Sequence, residues 1–249
     1  MNVSVVIPAL NEEATVADVV ALSRRGSDEV IVIDSDSTDA TAARAKAAGA
    51  SVVNWRDVVS LPPIPGKGEA LWRGVAAARG DVVVFLDADL TEISPTIVED
   101  LARPFIDDSV MLAKAAYTRG DASGGGGRVT ELTARPLLEA FFPELGFVRQ
   151  PLGGEYAIRR SAALDLPFVG GYGVEVGLLI DVFRCFGAAS IAEVEAGHRG
   201  HRHRPLRELA PMSRVVASTI LQRAGVASEL DEVGQRPAIS SLESGVGKA

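Results

Sequence analysis

The chain has 249 residues, 47% of them hydrophobic and 23% charged, which is enough for one large α/β domain and too apolar for general disorder. A single cysteine, Cys185, excludes an internal disulfide framework and suits a reducing, cytoplasmic setting. With 25 basic against 33 acidic side chains, a net charge of −8, the surface argues against nucleic acid or an anionic membrane as partner, so any anion site must be local.

The segment Met1 to Pro8 has no basic n-region, and no apolar run nears the ~18 residues of a membrane span. Val3 to Ile7 is a β-branched run closed by Pro8, and Val16, Val19, Val20 and Ala21 then fall at helical spacing. The same grammar recurs. Val30 to Ile33 predicts a strand, Asp34 to Asp39 a polar loop with N-cap side chains, and Ala40 to Ala48 a helix ended by Gly49. Ser51 to Asn54 predicts a third strand and Pro62 to Gly68 a stiff loop. Glu69 to Arg79 predicts a helix ended by Gly80, and Val82 to Leu86 a fourth strand. Apolar runs alternating with helices imply parallel strands covered on both faces.

Beyond Asp89 the rhythm changes. Val110 to Ala115 predicts a strand, followed by the tetraglycine Gly124 to Gly127 and a helix over Arg128 to Ala140. Gly154 to Ile158 predicts a strand, Val174 to Phe186 an amphipathic helix, Ser190 to Glu195 a last strand, and Pro205 to Arg223 a long helix. From Ala227 the composition turns polar with scattered Gly and Pro, so residues 227–249 are expected to form a flexible tail.

In an open parallel sheet, ligands collect beyond the carboxyl ends of the strands. The unusual residues fall there: Pro8-Ala9-Leu10-Asn11-Glu12, Asp34-Ser35-Asp36-Ser37, Lys67 between two glycines, and Asp87-Ala88-Asp89. In extended backbone the two carboxylates of the last triplet share a side and could hold a hard divalent cation bridging a diphosphate. Alone, the triplet is more often a solvated turn, and its position straight after a buried-strand run favours the cation reading. Gly66-Lys67-Gly68 lacks the Walker pattern, and no G-x-G-x-x-G opens a helix after the first strand, so NTPase and dinucleotide readings drop. All three histidines lie within His198 to His203, interleaved with arginine, where imidazole could complete a metal site begun by Asp89 and guanidinium groups could fork onto phosphate or carboxylate.

These motifs together resemble the nucleotide-sugar half of a GT-A glycosyltransferase, an α/β fold with a Rossmann-like sheet and a smaller acceptor-binding part. Gly66-Lys67-Gly68-Glu69-Ala70-Leu71-Trp72, Gly127-Arg128-Val129-Thr130-Glu131-Leu132, Gln150 to Tyr156, Gly171-Tyr172-Gly173-Val174-Glu175 and Arg202-His203-Arg204-Pro205-Leu206 are similar to the actinobacterial glucosyl-3-phosphoglycerate synthases. The resemblance covers residues 1 to 225. It implies a nucleotide-sugar part over 1–120, an acceptor-binding part with the C-terminal helix over 121–226, and a homodimer. It further implies retaining transfer of glucose from UDP-glucose to D-3-phosphoglycerate with Mg²⁺ or Mn²⁺.

By that resemblance Pro8, Ala9, Leu10, Glu12, Ser35 and Lys67 hold the uridine diphosphate, and Asp87, Ala88 and Asp89 its ribose and metal. Asp89 and His201 are the metal ligands, and Asp89, Lys67 and Glu175 the residues nearest the chemistry. Tyr172 and Glu175 lie along the glucose, Gly127, Arg128, Thr130 and His203 face the acceptor, and Leu152 and Gly153 bind substrate. The family has Asp-Ser-Asp where this chain has Asp87-Ala88-Asp89, and an acceptor-contacting Asn where it has His203. An amide offers donor and acceptor together, whereas the imidazole charge depends on pH. The same donor chemistry on another small acceptor such as a nucleoside, a nucleotidylyltransferase, and a non-catalytic nucleotide-sugar-binding protein are the competing readings.

Overall fold

A computed structural model gives the fold and describes residues 1–92, 94–119, 127–199, 206–230 and 232–243. His201, His203, Gly124 to Gly126, Pro205 and the last six positions of the tail lie outside the described residues. The strands are β1 (Val3–Ala9), β2 (Glu29–Asp34), β3 (Ser51–Asn54), β4 (Val82–Phe85), β5 (Leu112–Arg119), β6 (Tyr156–Arg159), β7 (Phe168–Val169), β8 (Ile191–Arg199) and β9 (Gln235–Arg236). The helices are α1 (Val16–Ser23), α2 (Thr41–Ala47), α3 (Trp55–Val58), α4 (Lys67–Ala77) and α5 (Ile97–Ala102). The rest are α6 (Arg135–Phe141), α7 (Arg160–Asp165), α8 (Val174–Phe186), α9 (Leu206–Ala224) and α10 (Ile239–Glu243).

Seven strands make one sheet in the order β3-β2-β1-β4-β6-β5-β8. The first four are parallel, as alternating apolar runs and helices predict. Because side chains alternate across a strand, each run feeds two cores. Val6, Ile31, Ile33, Val83 and Phe85 pack with Leu71, Trp72 and Val75 of α4 and with Leu179 of α8. Val5, Ile7, Val30, Val32, Val82 and Val84 pack on the other face with Val16, Val19 and Val20 of α1 and with Ile97 and Leu101 of α5. Each fully buried Val, Leu or Ile stabilises by about 1.5–3 kcal/mol relative to exposure.

Four expectations need correction. Strand β1 runs on through Pro8 to Ala9, which is tolerated because β4 pairs only as far as Val6 and one edge of Pro8 therefore faces no ladder. The later part of the sheet is mixed: β6 is antiparallel to both β4 and β5, while β8 is parallel to β5. The strand expected to be last, β8, is followed by β9, whereas the helix expected over Arg128 to Ala140 is present and carries a π-helical turn at Thr130–Ala134 before α6. The tail is not flexible throughout, because β9 pairs antiparallel with β7 and Ile239 of α10 is buried. Its polar residues have partners. Arg236 reaches both carboxylate oxygens of Glu69, at 2.6 and 2.9 Å, and also the Pro62 carbonyl; Trp72 Nε1 donates to the Pro237 carbonyl at 3.0 Å.

The two parts expected to divide near residue 120 share the sheet, since β6 of the second lies between β4 and β5 of the first. Among the described residues, no helix is long and apolar enough to cross a membrane.

Helices α8 and α9 are joined by a buried ion pair: Arg223 Nε donates to Asp181 Oδ1 at 2.7 Å and a terminal nitrogen to Oδ2 at 2.9 Å. Burial pushes the Asp181 carboxyl up from its usual value, against the pull of Arg223 beside it. Replacing Arg223 by Met leaves a buried carboxylate unpaired, so urea denaturation should show a loss of roughly 3–5 kcal/mol. An Asp181→Leu/Arg223→Met double variant should recover much of that.

Candidate active site

The loops after β1 and β2 are fastened to one another at the carboxyl edge of the sheet. Asn11 takes a left-handed conformation (φ 56°), its N–H donates to Ser37 Oγ at 3.0 Å, and its side-chain oxygen accepts from Thr38 N–H at 2.8 Å. Glu12 N–H donates to Thr41 Oγ1 at 2.8 Å, and Ser35 N–H to the Ala9 carbonyl at 2.9 Å. Asp36, also left-handed (φ 64°), accepts from Arg56 and Asn54, and the Arg56 hydrogen bond above all holds its carboxyl well below the usual range. The result is a preformed shelf: Ala9 and Asp34 are buried, Pro8, Glu12 and Ser35 are half-buried, and Leu10 is exposed. Asp34 Oδ1 is buried and has no hydrogen-bond partner among the described residues.

Beside this shelf stands Lys67, the first residue of α4, following Gly66 at φ +130°. Its amine lies 2.5 Å from Asp87 Oδ1 and 2.7 Å from Glu175 Oε1, joining the start of α4, the end of β4 and the first turn of α8. Burial opposes the Lys67 charge, but Asp87 and then Glu175 outweigh it and hold the ammonium well above the ordinary lysine value. The glycines make room for this approach. A Cβ on Gly66 would stand 2.7 Å from the Gly171 backbone, one on Gly68 1.9 Å from the Val169 carbonyl, and one on Gly154 2.3 Å from Asp87 Oδ2.

The Asp87-Ala88-Asp89 triplet departs from the expected extended form. The chain leaves β4 after Phe85 and turns at Ala88 and Asp89, with Asp87 half-buried against Lys67, Ala88 buried in the core and Asp89 exposed. Among the described residues, no three His, Cys, Asp or Glu side chains converge as a complete metal cage. The donor set still fits a hard divalent ion of the kind held by one or two carboxylates together with water and diphosphate oxygens. His201 lies outside the described residues, so the pairing of Asp89 with it stays a matter of the resemblance.

The described residues expected to bind substrate, Tyr172 and Glu175 aside, lie in two segments. Arg128 is exposed and Gly127 half-buried ahead of the π-helical turn, and Thr130, the first residue of that turn, is buried. Leu152 packs partly into the core and Gly153 is buried in a turn, its N–H on the Gln150 carbonyl at 3.0 Å. Tyr172 is exposed, three residues before Glu175. His203 lies outside the described residues.

Sequence reasoning missed Lys114 and Tyr156 beneath the site. Lys114 is the one charge within an apolar strand run, Leu112 to Ala116, and that interruption was the available signal. Its amine donates to the Gly153 carbonyl at 2.6 Å and lies 4.6 Å from the centre of the Tyr156 ring. Burial, with the Glu175 charge adding, pushes the Tyr156 hydroxyl well above its ordinary value.

A Rossmann-like parallel sheet continued by mixed strands, with carboxylates and one amine at its carboxyl edge, is the architecture of a glycosyltransferase of GT-A type, and residues 4–167 match the model of glycosyl transferase family 2. Within that class the chain belongs to the glucosyl-3-phosphoglycerate synthase family. It is 52% identical over 240 residues to the glucosyl-3-phosphoglycerate synthase of Mycolicibacterium paratuberculosis, covering 90% of this chain and 73% of that protein. To the one from Petrotoga mobilis it is 39% identical over 248 residues, covering 93% and 76%. A crystal structure of the Mycobacterium tuberculosis synthase in complex with Mn²⁺, UDP-glucose and phosphoglyceric acid matches with a TM-score of 0.89 at 46% identity, covering 97% of this chain and 91% of that one.

The ion pairs of Lys67 give a prediction that needs no substrate. A lysine of raised pKa holds less free amine, so acylation in mildly alkaline buffer followed by peptide mass spectrometry should label Lys67 far more slowly than exposed Lys46. Replacing Glu175 by Gln should speed that labelling.

Proposed function

We propose that the chain is a metal-dependent retaining glucosyltransferase that moves glucose from UDP-glucose to the 2-hydroxyl of D-3-phosphoglycerate. The observation that carries it is the amine of Lys67, fixed between Asp87 and Glu175 beside exposed Asp89 at the carboxyl edge of β4. The ligands of the relatives solved with UDP-glucose and phosphoglyceric acid support the choice of donor and acceptor.

In this reading Pro8, Ala9, Leu10, Glu12 and Ser35 cradle the uridine on the fastened shelf, and Asp87 and Ala88 border its ribose. Lys67 faces the diphosphate. Its raised pKa keeps it cationic through the neutral range, so it offers fixed positive charge where negative charge develops on the leaving group. Asp89 and His201 would hold Mg²⁺ or Mn²⁺, which supplies Lewis-acid stabilisation of the same leaving group. Glu175 and Tyr172 orient the glucose, with Glu175 itself held by Lys67. Gly127, Arg128, Thr130, Leu152, Gly153 and His203 receive the acceptor, whose anionic groups Arg128 can meet.

The bond from C1 to the diphosphate oxygen breaks as the bond from C1 to the acceptor oxygen forms on the same face. The hydroxyl proton passes to the departing phosphate. A cytoplasmic homodimer belongs to the same reading, and the free, exposed Cys185 suits a reducing compartment.

Incubation with UDP-glucose, Mn²⁺ and D-3-phosphoglycerate should release UDP and a product heavier than the acceptor by one anhydroglucose, with the α configuration by NMR. Asp89→Ala should lower turnover roughly a hundredfold or more. Undiminished turnover in that variant removes the central assignment. UDP release with a nucleoside and none with phosphoglycerate would move the reading to another acceptor.

A further inference from the structure

Lys114 lies beneath the Lys67–Asp87 pair and has no role in the chemistry proposed above. It is 1% exposed in β5. Its amine is spent on the Gly153 carbonyl at 2.6 Å. Gly153 belongs to the turn whose next residue forms the back wall of the site: a Cβ on Gly154 would stand 2.3 Å from Asp87 Oδ2 and 2.7 Å from Lys67 Nζ. The wall therefore touches the ion pair from behind, and Lys114 holds the wall.

The charges around Lys114 come from every neighbouring element. Glu175 faces it from α8, Glu155 from the segment entering β6, Lys67 from α4 and Asp87 from the end of β4. Tyr156 of β6 presents its ring, and Glu193, beside Lys114 in β8, is paired with Arg149. Three carboxylates, those of Asp87, Glu155 and Glu175, thus share two amines.

We infer that Lys114 is a positioning residue for the transfer: it pins the Gly153–Gly154 turn against the Lys67–Asp87 pair and supplies the second positive charge that the three carboxylates require. The inference rests on the donor reading given above. A neutral donor at this place would satisfy the Gly153 carbonyl but would leave Lys67 as the one amine facing Asp87 and Glu175. Glu175 and Asp87 would then compete more strongly for the one amine meant for the diphosphate.

The charge is also conditional. Burial pushes the Lys114 amine down to about 8, with Glu175 and Glu155 pulling the other way. Below that pH the amine is cationic. Above it the hydrogen bond to Gly153 survives while the charge is lost, so efficiency with UDP-glucose should fall on the alkaline side.

The test compares the wild type with Lys114→Gln, which keeps a donor without charge, and Lys114→Met, which keeps neither. Expected are an alkaline fall in kcat/KM for the wild type centred near pH 8, its disappearance in both variants, and a lower kcat. The kcat loss should reach the order of a hundredfold for Met, the scale expected from misplacing reacting groups by about an ångström, and be smaller for Gln. A purely structural lysine would lower the melting temperature of both variants and leave the alkaline limb in place. That result overturns the inference, as does a wild-type profile flat through that range. The Gln variant and the wild-type profile decide the matter if the Met variant does not fold. A wild type that transfers no glucose removes the donor reading itself, whereas a competent wild type with indistinguishable variants removes only the role of Lys114.

Discussion

Everything at the carboxyl edge of the sheet depends on one amine being shared by two carboxylates that the chain contributes from positions 87 and 175. A lysine taken out of water is unfavourable, and so is a carboxylate such as that of Glu175; neither is tolerated unless the partners arrive together and in register. That requirement explains the glycines. Gly66 against Gly171, Gly68 against Val169 and Gly154 against Asp87 each let backbone come nearer than a side chain would permit. The amine is therefore fixed in place by packing before any ligand is present, which is the condition for electrostatic stabilisation without reorganisation.

The same pair couples the two halves of the chain. Helix α4 ends its first turn on Glu69, which binds Arg73 within the helix and Arg236 from the tail. Arg73 is fully buried and donates to the carbonyls of Trp55, Val59 and Leu61, so one guanidinium organises the loop that leads to Lys67. The orientation of the site is thus written into a second polar layer beneath α4, where carboxylates and guanidinium groups satisfy backbone carbonyls left over by an irregular loop.

Local signals made the first half of the fold legible. Strand β3 and helix α8 have the bounds their apolar patterns predict, and Gly49 takes the positive φ (98°) expected of a helix-ending glycine. Long-range pairing was not legible. Nothing in Tyr156 to Arg159 says that it runs antiparallel between β4 and β5, and nothing in Gln235-Arg236 says that Phe168 and Val169 await it. Polarity in the tail predicts disorder because the carboxylate that binds Arg236 lies 167 positions away and leaves no local mark. In the site, spacing found the loops of Lys67 and Asp87, but the turn at Ala88 and Asp89, the union of Lys67 with Glu175 and the support from Lys114 follow from tertiary packing. The assignment of donor, acceptor and metal came from resemblance to a family and not from periodicity or charge.

The docking of residues 235–239 onto α4 also bears on the order in which the molecule is completed. Trp72 Nε1 finds its acceptor, and Glu69 its second guanidinium after Arg73, only 165 and 167 positions later in the chain. A polypeptide that has already laid down its parallel strands must therefore wait for Arg236 and Pro237 before the lysine-bearing helix is clamped. The contact order of this clamp is high, so the latching of α4 by the β7–β9 pairing belongs to the slow, non-local part of folding and follows the pairing of the first parallel strands.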